Sequence, residues 1–286
     1  MENQMTKERV DCIADYLRSF CSDKELQKLY NFPIGKPLNE FKNYVKPPPD
    51  CIAQLIESAE KSAKSNDSFS PTLKLRKIIS NAIINANQDE KIKIAEWIVK
   101  EWGGIPIGKN FKDCINDALS QHNAESEQNA KKVFKFERIA SWSKFLAFMY
   151  PKEYAIYDAR VVYSLNWILL SAGADKFFPV LEGRNSVMGL LDYKLQLLLT
   201  KHKKNEIVEK LEARKGNKTH FLSGLEKDVF YDKSKAFSEY CCLLREIAEK
   251  IYPTKDDPHA LTKVEMILFS IADRDIAVDV LKCLAP

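Results

Sequence analysis

The stretch from Arg138 to Trp167, RIASWSKFLAFMYPKEYAIYDARVVYSLNW, decides how the chain folds. Ser143 opens a short helix whose apolar residues Phe145, Leu146, Phe148 and Met149 turn towards a core. Pro151 stops it, because proline has no N–H for the next turn and its ring crowds the preceding backbone. Tyr154-Ala155-Ile156-Tyr157 then reads as an extended apolar tether. Asp158 follows at the N-cap of a second helix, where a carboxylate accepts one of the amides that a helix start leaves without a partner. Val161, Leu165, Ile168 and Leu169 face inward along that helix, and Gly173 ends it.

The helical period continues in both directions. Residues 7–22 place Val10, Ile13, Ala14, Tyr16, Leu17 and Phe20 on one face. Pro47-Pro48-Pro49 followed by Asp50 reads as a stop and a cap for a helix at about 51–64. After the polar loop Ser65–Ser70, Pro71-Thr72 opens a helix carrying Leu73, Leu75, Ile78, Ile79, Ala82, Ile83 and Ile84. Another follows from about Glu90 to Trp102, ahead of the one glycine-clustered loop, Gly103-Gly104-Ile105-Pro106-Ile107-Gly108. A polar span with His122 and Asn123 as turn residues leads into the central segment, and helices follow near 187–213, 233–251 and 262–283. With 9 glycines in 286 residues and no sustained strand alternation, the fold expected is all-α. The length suits a single domain over 1–286, built as two lobes of about 1–120 and 121–286.

Composition narrows the function classes. A hydrophobic content of 45% excludes wholesale disorder. No apolar run reaches the roughly 20 residues of a membrane span, and MENQMTKERV has no signal-peptide core, so a cytoplasmic protein without a membrane partner is expected. Seven scattered cysteines lack metal-ligand or iron–sulfur spacing; they read as reduced thiols, with no metal and no cofactor expected. From Lys201 to Lys218 seven basic residues face three acids, an excess of +4 that equals that of the whole chain. Lys203 and Lys204 lead this strip, which reads either as a nucleic-acid footprint or as a solvated helix face with Glu–Lys pairs.

In Asp158-Ala159-Arg160-Val161, with Ala155-Ile156-Tyr157 before it and Phe145-Leu146 in the preceding helix, the chain resembles helix-hairpin-helix DNA glycosylases of the 8-oxoguanine glycosylase-like branch. The likeness covers about a sixth of the chain. It implies two helical lobes with a cleft between them, Asp158 as the catalytic carboxylate, and a monomer acting on double-stranded DNA that contains a modified base. The family hairpin is glycine-rich, whereas Phe134-Lys135-Phe136-Glu137-Arg138 has no glycine, so a phosphate clamp would fall to Lys135, Arg138 or Ser141. The lysine of bifunctional members would fall near Ala140 and is missing. Lys144, one turn on, is a secondary catalytic candidate or a phosphate contact.

Rupture of an N-glycosidic bond builds positive charge on the sugar, which a fixed carboxylate stabilises while it positions the attacking water. Without a lysine nucleophile the reaction stops at an abasic site, and a monofunctional glycosylase is expected. Base flipping needs aromatic surfaces and cations; Trp142, Tyr150, Tyr154 and Tyr157 cluster around the segment, and Ser143 and Arg160, two residues past Asp158, join them as candidate contacts. Each also has a structural reading: the aromatics as core residues, Asp158 as a helix cap and nothing more. The chain is similar as well to prokaryotic antiviral glycosylases, which implies removal of bulky bases such as glucosylated hydroxymethylcytosine from phage DNA. Repair of oxidised purines and a non-catalytic DNA-binding or adaptor role are the alternatives.

Overall fold

A computed structural model describes residues 7–32, 41, 44, 68–123, 133–181, 186–213, 223–253 and 257–284. Helix α1 (Lys7–Arg18) buries Val10, Ile13, Ala14 and Leu17, spaced three and four apart. The chain breaks before α2 (Asp23–Leu29), because the Ser22 hydroxyl caps a new helix by accepting the Glu25 amide at 3.2 Å. The helix expected at about 51–64 lies outside the described residues. Helix α3 (Phe69–Ile84) turns Thr72, Leu75, Arg76, Ile79, Ser80 and Ile83 inward. Helix α4 (Gln88–Glu96) starts from a reciprocal Asn87–Glu90 capping box and passes into a π-helical turn, Trp97–Trp102. There the Gly103 amide donates to Ile98 O, five residues back, at 2.8 Å.

Helix α5 (Phe111–Asn123) occupies what reads in the sequence as a polar span, burying Phe111, Ile115, Ala118 and Leu119. Helix α6 (Ile139–Met149) begins four residues before Ser143, which corrects the expected start. Helix α7 (Ala159–Ser171) ends at Gly173, whose φ of +68° lets the Ala174 amide reach Leu169 O at 2.9 Å. The single helix expected near 187–213 is three: α8 (Ser186–Leu190), α9 (Lys194–Leu199) and α10 (Lys204–Glu212). Helix α11 (Ser223–Val229) follows, then α12 (Lys233–Ile251), capped by Asp232. Helix α13 (Ala260–Ile271) runs through a second π-helical turn, Ala272–Ile276, into α14 (Ala277–Leu284).

The fold is all-α. The described residues contain no strand, only one bridge between Phe177 and Phe230. None of their helices is long and apolar enough to cross a membrane. Helix α13 packs on α7 and α12, α1 on α12 and α7, and both α3 and α5 on α6. Helices from before residue 120 thus pack directly on helices after it, and one continuous apolar cluster runs from Val10 to Val280. Helices α6 and α7, joined by residues 150–158, lie inside this packing. All but Ala140 of α6 is buried, and so is α7 from Val161 to Leu169.

Candidate active site at the head of a buried helix

The tether between α6 and α7 is extended backbone with no neighbouring strand among the described residues, and side chains take its amides. The Ala155 backbone hydrogen-bonds the buried Cys241 thiol of α12. The Ile156 amide donates to Glu265 Oε2 of α13 at 2.9 Å, and the Tyr157 amide to Ser143 Oγ of α6 at 3.1 Å. In the other direction the Tyr240 hydroxyl of α12 donates to Ile156 O at 2.7 Å. The Tyr157 hydroxyl donates to Pro179 O at 2.8 Å. Burial pushes both phenols well above their ordinary range, which keeps them neutral donors. Three helices therefore fix the three residues that precede Asp158.

Asp158 caps α7 as its sequence position suggests. Its Oδ1 accepts the Arg160 amide at 3.0 Å, and its carbonyl accepts the Val162 amide at 3.0 Å. Its Oδ2 faces Lys144 Nζ at 3.4 Å. The lysine side chain is 6% exposed and the aspartate 25%, so the carboxylate is the member of the pair that meets solvent. Lys144 Nζ also donates to Ala140 O at 3.2 Å. Helical side chains lean towards the N-terminus of their helix. The amine of Lys144 is thereby delivered to the turn of Ala140, where the sequence lacks a lysine.

Glycine supplies the room for this. A Cβ on Gly103 would meet Lys144 Cδ at 3.0 Å and Val99 O at 2.8 Å, so the end of the first π-helical turn lies directly on the lysine stem. A Cβ on Gly108 would meet Arg138 Nη1 at 2.9 Å, and Arg138 Nη2 donates to Pro106 O at 3.5 Å. The Gly103–Gly108 loop thus covers the start of α6. Arg138 itself is exposed and takes φ +53°, the one left-handed non-glycine residue among the described residues. It adopts, without a glycine, a left-handed backbone shape that glycine takes more readily.

Among the other sequence candidates, Ser143 is fully buried and its hydroxyl serves the tether. Trp142 is buried against Phe134 and Phe237, with its Nε1 donating to Glu137 O at 3.0 Å. Tyr154 is buried and its hydroxyl meets His122 Nδ1 at 2.8 Å; Tyr157 is buried against Phe136 and Tyr240. These four shape the site from within the core rather than present a surface. Arg160 stands outside it, half-exposed beside Asp158, over the Phe269 ring at 4.8 Å and 3.3 Å from Asp273 Oδ2 in the second π-helical turn. Lys135 is exposed and bonds Asp117 at 2.6 Å.

Lys203 and Lys204 are exposed at the head of α10, while Arg214, Lys215 and Lys218 lie outside the described residues. Lys201 bonds Asp175, just past the C-terminal end of α7. That end is about 20 Å from Asp158 by the rise of a 13-residue helix.

Sequence reasoning missed Glu265, Arg76, Tyr240 and Gly103. The signal for the first two was a charge within an otherwise apolar helix face: Arg76 beside Leu75 and Ile79, and Glu265 beside Met266 and Leu268. No group of three or more His, Cys, Asp or Glu among the described residues is arranged to hold a metal. Compared with protein-family models, curated proteins and solved structures, the chain finds no match.

Proposed function

We propose that the protein is a DNA glycosylase that hydrolyses the N-glycosidic bond of a flipped, modified base and leaves an abasic site. The observation that carries this reading is the divided carboxylate of Asp158: one oxygen is committed to the helix cap and the other lies beside a buried lysine, in a side chain that is itself a quarter exposed. A carboxylate held this way stabilises the positive charge that grows on the sugar as the base departs. It also orients a water for attack at the anomeric carbon, and takes the proton of that water as the carbon–oxygen bond forms. The base leaves with the electron pair of the broken carbon–nitrogen bond. Lys144, held by Ala140 O and by Asp158, anchors the carboxylate in place.

Support for DNA as partner comes from exposed Arg138 at the head of α6, half-exposed Arg160, and the cations Lys135, Lys203 and Lys204. Phosphates bind at such helix starts, where free amides and the helix dipole add to side-chain charge. The two-lobed cleft of helix-hairpin-helix glycosylases belongs to this same proposal. The substrate favoured is a bulky modified cytosine of phage DNA, because the hairpin lacks the glycines of repair enzymes; oxidised purine is the alternative.

One observation favours a second reading, in which Lys144 is a nucleophile and the enzyme is also a lyase: its amine sits at the Ala140 turn, 3.4 Å from Asp158. The neutral amine would attack the anomeric carbon and displace the base, which leaves with the electron pair of the carbon–nitrogen bond. Loss of the amine's protons and opening of the sugar ring would give a Schiff base, from which β-elimination of the 3′ phosphate cleaves the strand. The test incubates the protein with DNAs carrying glucosylated hydroxymethylcytosine, oxidised purine or unmodified bases, follows free base by chromatography, and adds borohydride in parallel. The hydrolytic reading predicts base release, no trapped adduct, and release that is slowed but not abolished in Lys144→Met and is lost in Asp158→Asn. A trapped adduct lost in Lys144→Met selects the lyase. DNA binding with no base released from any substrate selects a non-catalytic DNA-binding protein.

A further inference from the structure

Beneath the tether lies an ion pair that stability alone does not explain. Arg76 of α3 and Glu265 of α13 have side-chain exposures of 2% and 6%. Arg76 Nη2 meets Glu265 Oε1 at 2.6 Å and Nη1 meets Oε2 at 3.1 Å, a bidentate pair 189 residues apart in sequence. The guanidinium is wedged against Phe148 of α6, 5.2 Å from the ring centre, and Trp102, 5.7 Å. A pair buried so completely loses in desolvation about what it gains in attraction, and well-packed apolar side chains commonly replace one without loss.

What an apolar pair would not do is accept a hydrogen bond. Glu265 Oε2 accepts the Ile156 amide at 2.9 Å, two residues before Asp158, in a segment with no strand beside it among the described residues. The acceptor that satisfies that amide is brought in from another helix, and the cation that pairs with this acceptor in the core comes from a further one. We propose that the Arg76–Glu265 pair is a positioning device: by clamping the Ile156 amide it fixes the reach and angle of the Asp158 carboxylate for the glycosidic-bond chemistry. This rests on the glycosylase reading. Glu265 and Arg76 are positioning residues, since both are buried in the core and act through the Ile156 amide.

Two double variants remove the buried charges but differ in the acceptor. Arg76→Met with Glu265→Gln keeps an oxygen for the Ile156 amide; Arg76→Met with Glu265→Leu does not. Both are expected to fold, and to bind DNA with unchanged Kd. Single-turnover base release is expected within about threefold of the parent for the Met/Gln protein, and about a hundredfold slower for the Met/Leu protein, the scale of an ångström-sized misplacement. Amide hydrogen exchange at Ile156, read by NMR without DNA, is expected to stay slow in the parent and Met/Gln proteins and to accelerate in the Met/Leu protein.

Equal rates of release in the two doubles, or equal protection of Ile156, overturns the proposal. If the parent protein releases no base, the glycosylase reading fails, while the exchange measurement still decides whether the pair clamps the tether. Should the Met/Leu protein not fold, Glu265→Asp carries the same comparison, because it keeps the charge but withdraws the carboxylate from Ile156 by one methylene.

Discussion

Lys144 and Asp158 stand on successive helices, and their charged ends meet at 3.4 Å, with the lysine amine folded back to the carbonyl of Ala140. The lysine is the buried partner and the aspartate the solvent-facing one. Any reagent that approaches from solvent therefore meets the carboxylate first, with the cation behind it.

Replacing Asp158 by Asn separates capping from chemistry. Asparagine caps helices as well as aspartate does, so the cost in stability by chemical denaturation is about 1 kcal/mol or less beyond the lost ion pair with Lys144. Asp158→Ala removes the cap as well, and is expected to cost about 1 kcal/mol more. A large, equal loss in both would mean that the carboxylate serves the fold.

Gly103→Ala reports on the close approach over Lys144. The new Cβ would fall 2.8 Å from Val99 O and 3.0 Å from Ile98 O, backbone atoms that cannot swing away. Overpacking of this kind costs about 1–3 kcal/mol. Denaturation midpoints for Gly103→Ala and for Gly104→Ala provide the contrast: Gly104 has open space around it, with φ +64°, so only backbone strain of about 1–2 kcal/mol follows there.

Acid sensitivity is expected from His259, at the N-cap of the helix that carries Glu265. Burial holds its pKa below the ordinary 6.5, against the pull of Asp257. The native state therefore binds fewer protons here than the unfolded chain. The stabilising contribution is complete above the unfolded pKa of about 6.5 and is lost as pH falls from there through the depressed folded value. Urea denaturation at about pH 7.5 and pH 5.5 is expected to show a steeper loss in the parent than in His259→Gln; equal losses would remove His259 from the account.

The helical class, the Asp158 cap and the 233–251 helix were legible because each is a local matter: a period of apolar residues and a capping residue ahead of it. Helix α6 was read four residues short because Arg138 turns the chain left-handed without the glycine that usually announces it. Helix α5 was overlooked although Phe111, Ile115, Ala118 and Leu119 carry the helical spacing, since polar residues fill the rest of it. The first of the two breaks in 187–213 falls at Asp192, whose Oδ1 accepts the Lys194 amide at 2.8 Å, a local turn lost in a run of leucines. Of the site, the aspartate was visible but its supports were not. Glu265 lies 109 residues from Ile156, and no local pattern encodes which buried charge will meet which amide.

If the basic strip contacts DNA, Lys203→Gln with Lys204→Gln weakens binding across all sequences alike. The slope of log K against log salt is then expected to become shallower by about 2, one for each phosphate contact removed. An unchanged slope would assign the exposed strip to solvent.

The most direct measurement is single-turnover release of free base from DNA carrying glucosylated hydroxymethylcytosine or an oxidised purine, with the parent protein and Asp158→Asn side by side at equal DNA occupancy. Free base and alkali-labile abasic sites are expected from the parent on one of these DNAs, with a loss of at least about a hundredfold in Asp158→Asn, the scale of removing one transition-state charge stabiliser. Release that proceeds undiminished in Asp158→Asn would contradict the proposed chemistry.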